Sequence, residues 1–330
     1  MAGISSFPQW QQDFLNNVLR KIEIVANQYP ISLSLQNDLS RIVHKLSTDS
    51  DDTPYSKTQT GSNFCATLAL LSSLEASLPL FTAFAGHPES RNPHLLEELE
   101  RILAHLKLAI GHQSRTKLTK SFFGLYVIVD PAVTNGRPAE EIAELALQGG
   151  ARIIQLRDKC RDKGETLRSA RIIQEMTVHY NAISIINDHA DIALLVDANG
   201  LHVGQSDLPI EQARLVLKSY QLVGRSNNTL QAVLDSIAQG ADHVALGPIF
   251  PTTTKDVGRP IVGTQTLKKV KEAVNVPIVA IGGINSNNIT EVVHAGADSI
   301  CVSSAIGLSS DPKNATKRII EQIRSAGGKV

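Results

Sequence analysis

The chain has 330 residues, more than one average domain, and its 42% apolar content supports a large core, which excludes disorder over the whole length. Lys plus Arg and Asp plus Glu number 32 each, so no net field draws in nucleic acid or anionic lipid, and anion recognition has to be local. Cys65, Cys160 and Cys301 are odd in number, far apart and without a CxxC pair, which argues against a disulfide framework and for free thiols in a reducing compartment.

The first residues, Met1–Pro8, lack the basic and apolar regions of a signal peptide. Trp10, Phe14, Val18, Ile22 and Val25 recur at steps of three or four and predict one apolar helix face. Ser47–Asn63 is polar and rich in turn formers, which predicts a loop. Phe64–Gly86 is the one stretch of membrane-like composition. Glu75 lies at its centre, where a carboxylate costs about 2.5–3.5 kcal/mol on insertion scales, and Pro79 interrupts it, so a buried helix or helical pair is expected. Leu95, Leu96, Leu99, Ile102, Leu103 and Leu106 form a further face after Pro93, with Gly111 as its stop. Nothing in residues 1–120 places a nucleophile, a base or a metal cluster. They are expected to form an all-α domain serving as a structural or oligomerisation appendage, compatible with a homo-oligomer, or in a regulatory or partner-binding role. The expected protein is soluble and cytoplasmic, with no membrane and no nucleic-acid partner.

After Thr119-Lys120 short runs rich in β-branched residues alternate with amphipathic stretches. The runs are Gly124–Asp130, Arg152–Arg157, Ile183–Asn187, Leu201–Gly204, Gln221–Ser226, His243–Phe250, Pro277–Ile284 and Ser299–Ile306. Three are entered alike, through QGGARIIQL, QGADHVALG and AGADSICVS. Gly150, Gly240 and Gly296 fall where a helix should end, because a left-handed C′ position suits a residue without Cβ. Continuous apolar runs fit parallel strands covered on both faces. Eight strand–helix units over residues 121–330 predict an α/β fold, a (β/α)8 TIM barrel, which needs as few as about 200 residues. An open doubly wound sheet is the competitor, but no GxGxxG turn follows the first strand.

Such a barrel carries its active site at the C-terminal strand ends. There the chain places Gln155-Leu156-Arg157-Asp158-Lys159, Asn187-Asp188, Gly204-Gln205-Ser206-Asp207, Arg225-Ser226, Gly247–Lys255, Gly282-Gly283-Ile284 and Ser303-Ser304. Singly these have structural uses: Asp188 and Asp207 as helix caps, Arg157 and Lys159 as partners of Asp158 or Asp162, Thr252–Thr254 as a self-bonded loop. Those uses leave the coincidence of seven polar strand ends unexplained. Arg157, Lys159 and Lys255 supply cations for phosphate oxygens. Asp188 and Asp207 supply oxygen ligands suited to Mg2+. Gly282-Gly283 and Ser303-Ser304 follow strands 7 and 8, where this fold often binds a phosphate. Gln155 and Asn187 can donate and accept at once, as an amino-pyrimidine edge requires. His179, His189, His202 and His243 show no zinc-like spacing and read as satisfied or surface histidines, and Cys301 as a core thiol.

In this order QLRDK, ND, GQSD, GPIFPTTTK, GGI and VSSAI, spanning Phe123 to about Ile306, resemble thiamine-phosphate synthase. The resemblance implies that Gln155, Leu156, Arg157, Asp158, Lys159, Asn187, Ser226 and Lys255 hold a pyrimidine diphosphate, with Arg157, Lys159, Ser226 and Lys255 catalytic. It implies Mg2+ on Asp188 and Asp207, and a thiazole phosphate, carboxylated or not, on Thr252, Thr253, Thr254, Gly283, Ser303 and Ser304. Asn227-Asn228 stand where relatives often have a His, and both are left out of the site. The alternative is a thiazole tautomerase of the same superfamily, which would need neither the aspartates nor the diphosphate cations. The 120 N-terminal residues have no counterpart in the short form of the family.

Overall fold

The computed structural model describes residues 9–28, 37, 64–83, 93–252 and 260–330. The chain divides into two compact units, Met1–Ser114 and Arg115–Val330.

In the first unit α1 (Gln9–Gln28) buries Val18, Ile22 and Val25, α2 (Phe64–Ala83) buries Leu68, Leu71, Leu74 and Leu78, and α3 (Pro93–Thr119), whose residues from Arg115 on belong to the second unit, buries Leu99, Ile102, Leu103, Leu106 and Ile110. The side chains of Trp10, Leu95 and Leu96, and the expected loop Ser47–Asn63, lie outside the described residues. Lys107 Nζ donates to Glu75 at 2.6 Å, tying α3 to α2. Of the helix or helical pair expected around Pro79, the structure has the single helix, α2 running through Pro79, and one expectation is corrected: α3 runs through Gly111 and ends only at Thr119. An interior glycine costs a helix about 1 kcal/mol relative to alanine, which the burial of Leu106 and Ile110 beside Gly111 outweighs.

In the second unit the described residues contain eight parallel strands closed in sequence order, which rules out the open sheet. They are β1 (Gly124–Val129), β2 (Ile153–Leu156), β3 (Ile183–Asn187), β4 (Gly200–Val203), β5 (Leu222–Asn227), β6 (His243–Leu246), β7 (Ile278–Ile281) and β8 (Ser299–Val302). Helices follow the strands: α4 (Ala139–Gln148), α5 (Lys163–His179), α6 (Ala190–Leu195), α7 (Ile210–Val216), α8 (Leu230–Ala238), α9 (Gly263–Ala273), α10 (Ile289–His294), α11 (Ser304–Gly307) and α12 (Pro312–Ser325). The last three strands are shorter than expected. After β6 comes the cis peptide Gly247–Pro248, where proline offers no N–H to the ladder, and after β8 the chain turns at once into α11.

Gly150, Gly240 and Gly296 have φ of 100°, 93° and 93° and stand one residue past the caps of α4, α8 and α10. Each closes a paired turn: Ala151 N–H reaches Ala146 O at 3.0 Å while Gly150 N–H reaches Leu147 O at 2.9 Å, and the other two repeat it.

Side chains alternate across each strand. Outward residues such as Leu125, Val127, Ile154 and Leu156 pack under the helices in the larger core, and inward ones such as Tyr126, Ile153, Ile183 and Leu222 fill the barrel. Phe122, buried just ahead of β1, joins the inner core and stacks on His243 with ring centroids 4.3 Å apart. The polar inward positions, Gln155, Asn187, His202 and Ser226, therefore lie above an apolar floor.

Candidate active site

A cleft of about 500 Å³ opens over the C-terminal strand ends. Its walls include Arg157 and Lys159 after β2, Asn187 and Asp188 at β3, Gly204–Asp207 after β4, and Ser226 on β5. A second cavity, about 110 Å³, is lined by Asp130, Gly283, Cys301, Ser303 and Ser304. Arg157, Thr252, Ile281 and Gly282 border both.

Asp188 has a left-handed backbone, φ 61°, which Asp tolerates better than most residues, and its N–H donates to His202 O at 2.9 Å. Its carboxylate meets the Lys159 ammonium on one side and the Asp207 carboxyl on the other. Burial raises the Asp188 carboxyl above the usual carboxylate range, Lys159 opposes that rise, and the like charge of Asp207 adds to it. Asp207 is oriented by Gly204 N–H, which donates to its Oδ2 at 2.8 Å. Neither aspartate caps the helix that follows, since the caps of α6 and α7 have no side-chain bond. Two adjoining carboxylates with a single ammonium form a donor set short of positive charge. Among the described residues no third His, Cys, Asp or Glu completes a metal group. That suits a cation finishing its shell with phosphate oxygens and water.

Arg157 donates through Nη1 to Asp130, whose Oδ1 accepts from Ala132 N–H at 3.0 Å. Asp130 is not among the site residues that the sequence predicts. The signal was available: it is the residue that ends the first strand, as Asn187-Asp188 end the third. Gln155 Nε2 reaches the hydroxyl of Tyr126, a fully buried phenol whose pKa burial pushes well above 10. His202, read as satisfied or superficial, is buried on the inner face, with Nε2 at 2.9 Å from Ser226 Oγ. Its alternation with outward Leu201 and Val203 on β4 marks it as inward-facing.

Two assigned residues face elsewhere. The Leu156 side chain is buried in the outer core, because the residue after inward Gln155 must point out. Asp158 is occupied by its own loop. Burial works against its ionisation, but backbone N–H bonds from Arg161 and Cys160 and the Arg161 guanidinium outweigh this and hold the carboxyl below its usual range. The structural alternative for Arg157 and Lys159, pairing with Asp158 or Asp162, is not what the structure shows: they meet Asp130 and Asp188.

The loop after β6 is clamped at its base: Ile249 N–H donates to Ile281 O at 2.9 Å, Phe250 N–H to Gly282 O at 3.0 Å and Val262 N–H to Pro248 O at 2.8 Å. Gly282 (φ 99°) and Gly283 (φ 66°) allow this approach, since a Cβ on Gly282 would lie 2.6 Å from the Pro248 Cα. Thr253, Thr254 and Lys255 lie outside the described residues. Among the described residues no helix is long and apolar enough to cross a membrane.

The family described as thiamine monophosphate synthase matches residues 125–306. The thiamine-phosphate synthase of Shouchella clausii (strain KSM-K16) is 42% identical over 205 residues, covering 62% of this chain and 98% of that protein. That of Methanospirillum hungatei JF-1 is 41% identical over 198 residues, 60% of this chain and 96% of that protein. A solved thiamine phosphate pyrophosphorylase from Pyrococcus furiosus has 34% identity and a TM-score of 0.59, over 63% of this chain and 99% of that one. With more than half its length inside that match, and its barrel spanning nearly the whole of these relatives, the chain belongs to the thiamine monophosphate synthase family.

Proposed function

We propose that the larger cleft takes 4-amino-2-methyl-5-(diphosphooxymethyl)pyrimidine, the smaller cavity takes 4-methyl-5-(2-phosphoethyl)thiazole, and the enzyme joins them into thiamine phosphate with release of diphosphate. The observation that carries this reading is the shared border of the two cavities. Arg157, Thr252 and Gly282 line both, so the reacting ends of two phosphate-bearing substrates would meet there.

The 4-amino group pushes electrons into the ring, the bond from the exocyclic CH2 to the diphosphate oxygen breaks, and its electron pair leaves with the diphosphate. The lone pair of the thiazole nitrogen then forms the new C–N bond. Arg157, Lys159 and Lys255 stabilise the charge gathering on the leaving group. Gln155, Asn187 and Ser226 hold the pyrimidine ring. Thr252, Thr253, Thr254, Gly283, Ser303 and Ser304 hold the thiazole phosphate, and proximity lets nitrogen reach the cationic carbon before water does. Asp188 and Asp207 would hold Mg2+, which when bound supplies further positive charge to the diphosphate. No protein nucleophile is required.

The test is purified protein with both substrates and Mg2+, followed for thiamine phosphate and diphosphate. Absence of either product would overturn the reading. Within it, Lys255→Ala should lower the chemical step by about 10²–10³, with thiazole phosphate affinity changing less. Loss of thiazole affinity alone would mean that the two phosphate sites are exchanged.

A further inference from the structure

Ser226 borders the cleft, and its hydroxyl, a single rotatable dipole, needs a second contact to define its direction. That contact is the Nε2 of His202, 2.9 Å away and one strand over. Below His202 lies an aromatic stack. Its ring faces His243 with centroids 5.7 Å apart and planes 29° from parallel, and His243 in turn lies 4.3 Å from the Phe122 ring. His243 is wholly buried, and among the described residues neither of its ring nitrogens has a hydrogen-bond partner. Beside it, Gly224 on β5 has no side chain, and a Cβ there would overlap the His243 ring. The imidazole of His202 thus rests on a filled aromatic wall and presents Nε2 upward to Ser226.

We propose that His202 is a positioning residue: it fixes the Ser226 hydroxyl in one orientation, leaving the rest of that hydroxyl's hydrogen-bonding capacity aimed at the amino-pyrimidine in the cleft. This rests on reading the larger cleft as the pyrimidine diphosphate site. The role predicts coupling. A residue that acts only through Ser226 contributes nothing once Ser226 is gone, whereas a residue that merely fills the barrel contributes regardless.

The experiment is a double-mutant cycle on the full chain with His202→Phe, Ser226→Ala and the pair, reading kcat/KM for the pyrimidine diphosphate and the melting temperature. Phenylalanine keeps a ring on the His243 face and removes Nε2. Each single variant should lose about 3- to 10-fold, the worth of one hydrogen bond, and the double variant no more than Ser226→Ala alone. KM for the thiazole phosphate should stay unchanged. Losses that multiply in the double variant would overturn the role of His202. If His202→Phe does not give a cooperative melt, the same cycle with His202→Leu decides the matter on the same criterion. A wild-type protein that forms no thiamine phosphate would instead overturn the proposed function, so the two failures are distinguishable.

Discussion

At the N-terminal end of the barrel Phe122 and His243 cover the interior, and Arg115 and Arg214 close on Asp242, while at the C-terminal end five charged side chains among the described residues border open space. The contrast lies in what the charges hold. Asp242 also accepts from Val223 N–H at 2.8 Å, and Arg214 donates to Gln221 O at 2.7 Å. In the last of the three repeated strand entries Asp298 does the same, accepting from Ile278 N–H at 2.9 Å and from Lys271. Each of these ion pairs has a partner that is also bonded to backbone at a strand entry. Above, Lys159 meets Asp188, and Arg157 meets Asp130, side chain to side chain, so a phosphate could replace either carboxylate without disturbing a strand. Stability is concentrated below and adaptable charge above, as this fold tends to arrange them.

The strongest way to break that contrast is from below. Phe122→Ala should cost about 3–5 kcal/mol of stability, through lost burial and an unfilled cavity under His243, while kcat of the folded protein changes little. A melt unchanged by this substitution would show that the stack closes nothing. Above, Asp207→Ala or Asp188→Asn should lower turnover by about 10²–10³ with a nearly unchanged melt. Activity near wild type at limiting Mg2+ would remove the metal assignment.

The boundary between the two units sharpens the comparison further. Arg115 and Leu118 precede residue 121 yet contact the barrel, Arg115 through Asp242 and the Ser219 carbonyl. A 115–330 fragment should melt cooperatively and catalyse, whereas 121–330 should be weaker by about 1–3 kcal/mol. At about 2–4 °C per kcal/mol, that is several degrees. A cooperatively folded 115–330 fragment without activity would mean that the helical unit supplies part of the site.

The smallest effect concerns pH. Burial holds the His243 pKa well below 6.5, helped by the neighbouring His202 and Arg214. The unfolded chain therefore binds a proton below about pH 6.5 that the folded chain refuses. Stability from this group is intact above that pH and falls by about 1.4 kcal/mol per unit as pH drops below it, until the folded pKa is reached. Urea melts at pH 7.5 and 5 should show a smaller difference in His243→Phe than in wild type. An equal difference would mean that His243 is protonated when folded.

Much of this was legible because the repeats announce themselves. Gly150, Gly240 and Gly296 mark helix ends by a backbone requirement independent of context. The polar strand ends were equally visible, but treating QLRDK as a block concealed the period of two, which sends Gln155 inward and Leu156 outward. The Asp158 side chain turns to its own loop for another reason: its partners include backbone N–H groups three residues or fewer away, and local capping competes for any aspartate in a turn. His202 and Asp130 were missed because their significance depends on partners 24 and 27 residues distant, a separation that only the closed barrel brings together. The run through Gly111 was hidden because burial of a neighbouring face outweighs a local stop signal.

The aromatic plug also governs traffic. With Phe122 seated on His243, the described residues leave no exit at the lower end of the barrel, so molecules that reach the strand ends enter and leave by the upper mouth. Diphosphate and the coupled product must depart across the surface on which the next pair of substrates arrives. Release and entry compete for one doorway, so accumulated diphosphate should slow turnover by occupying the route as well as the cations.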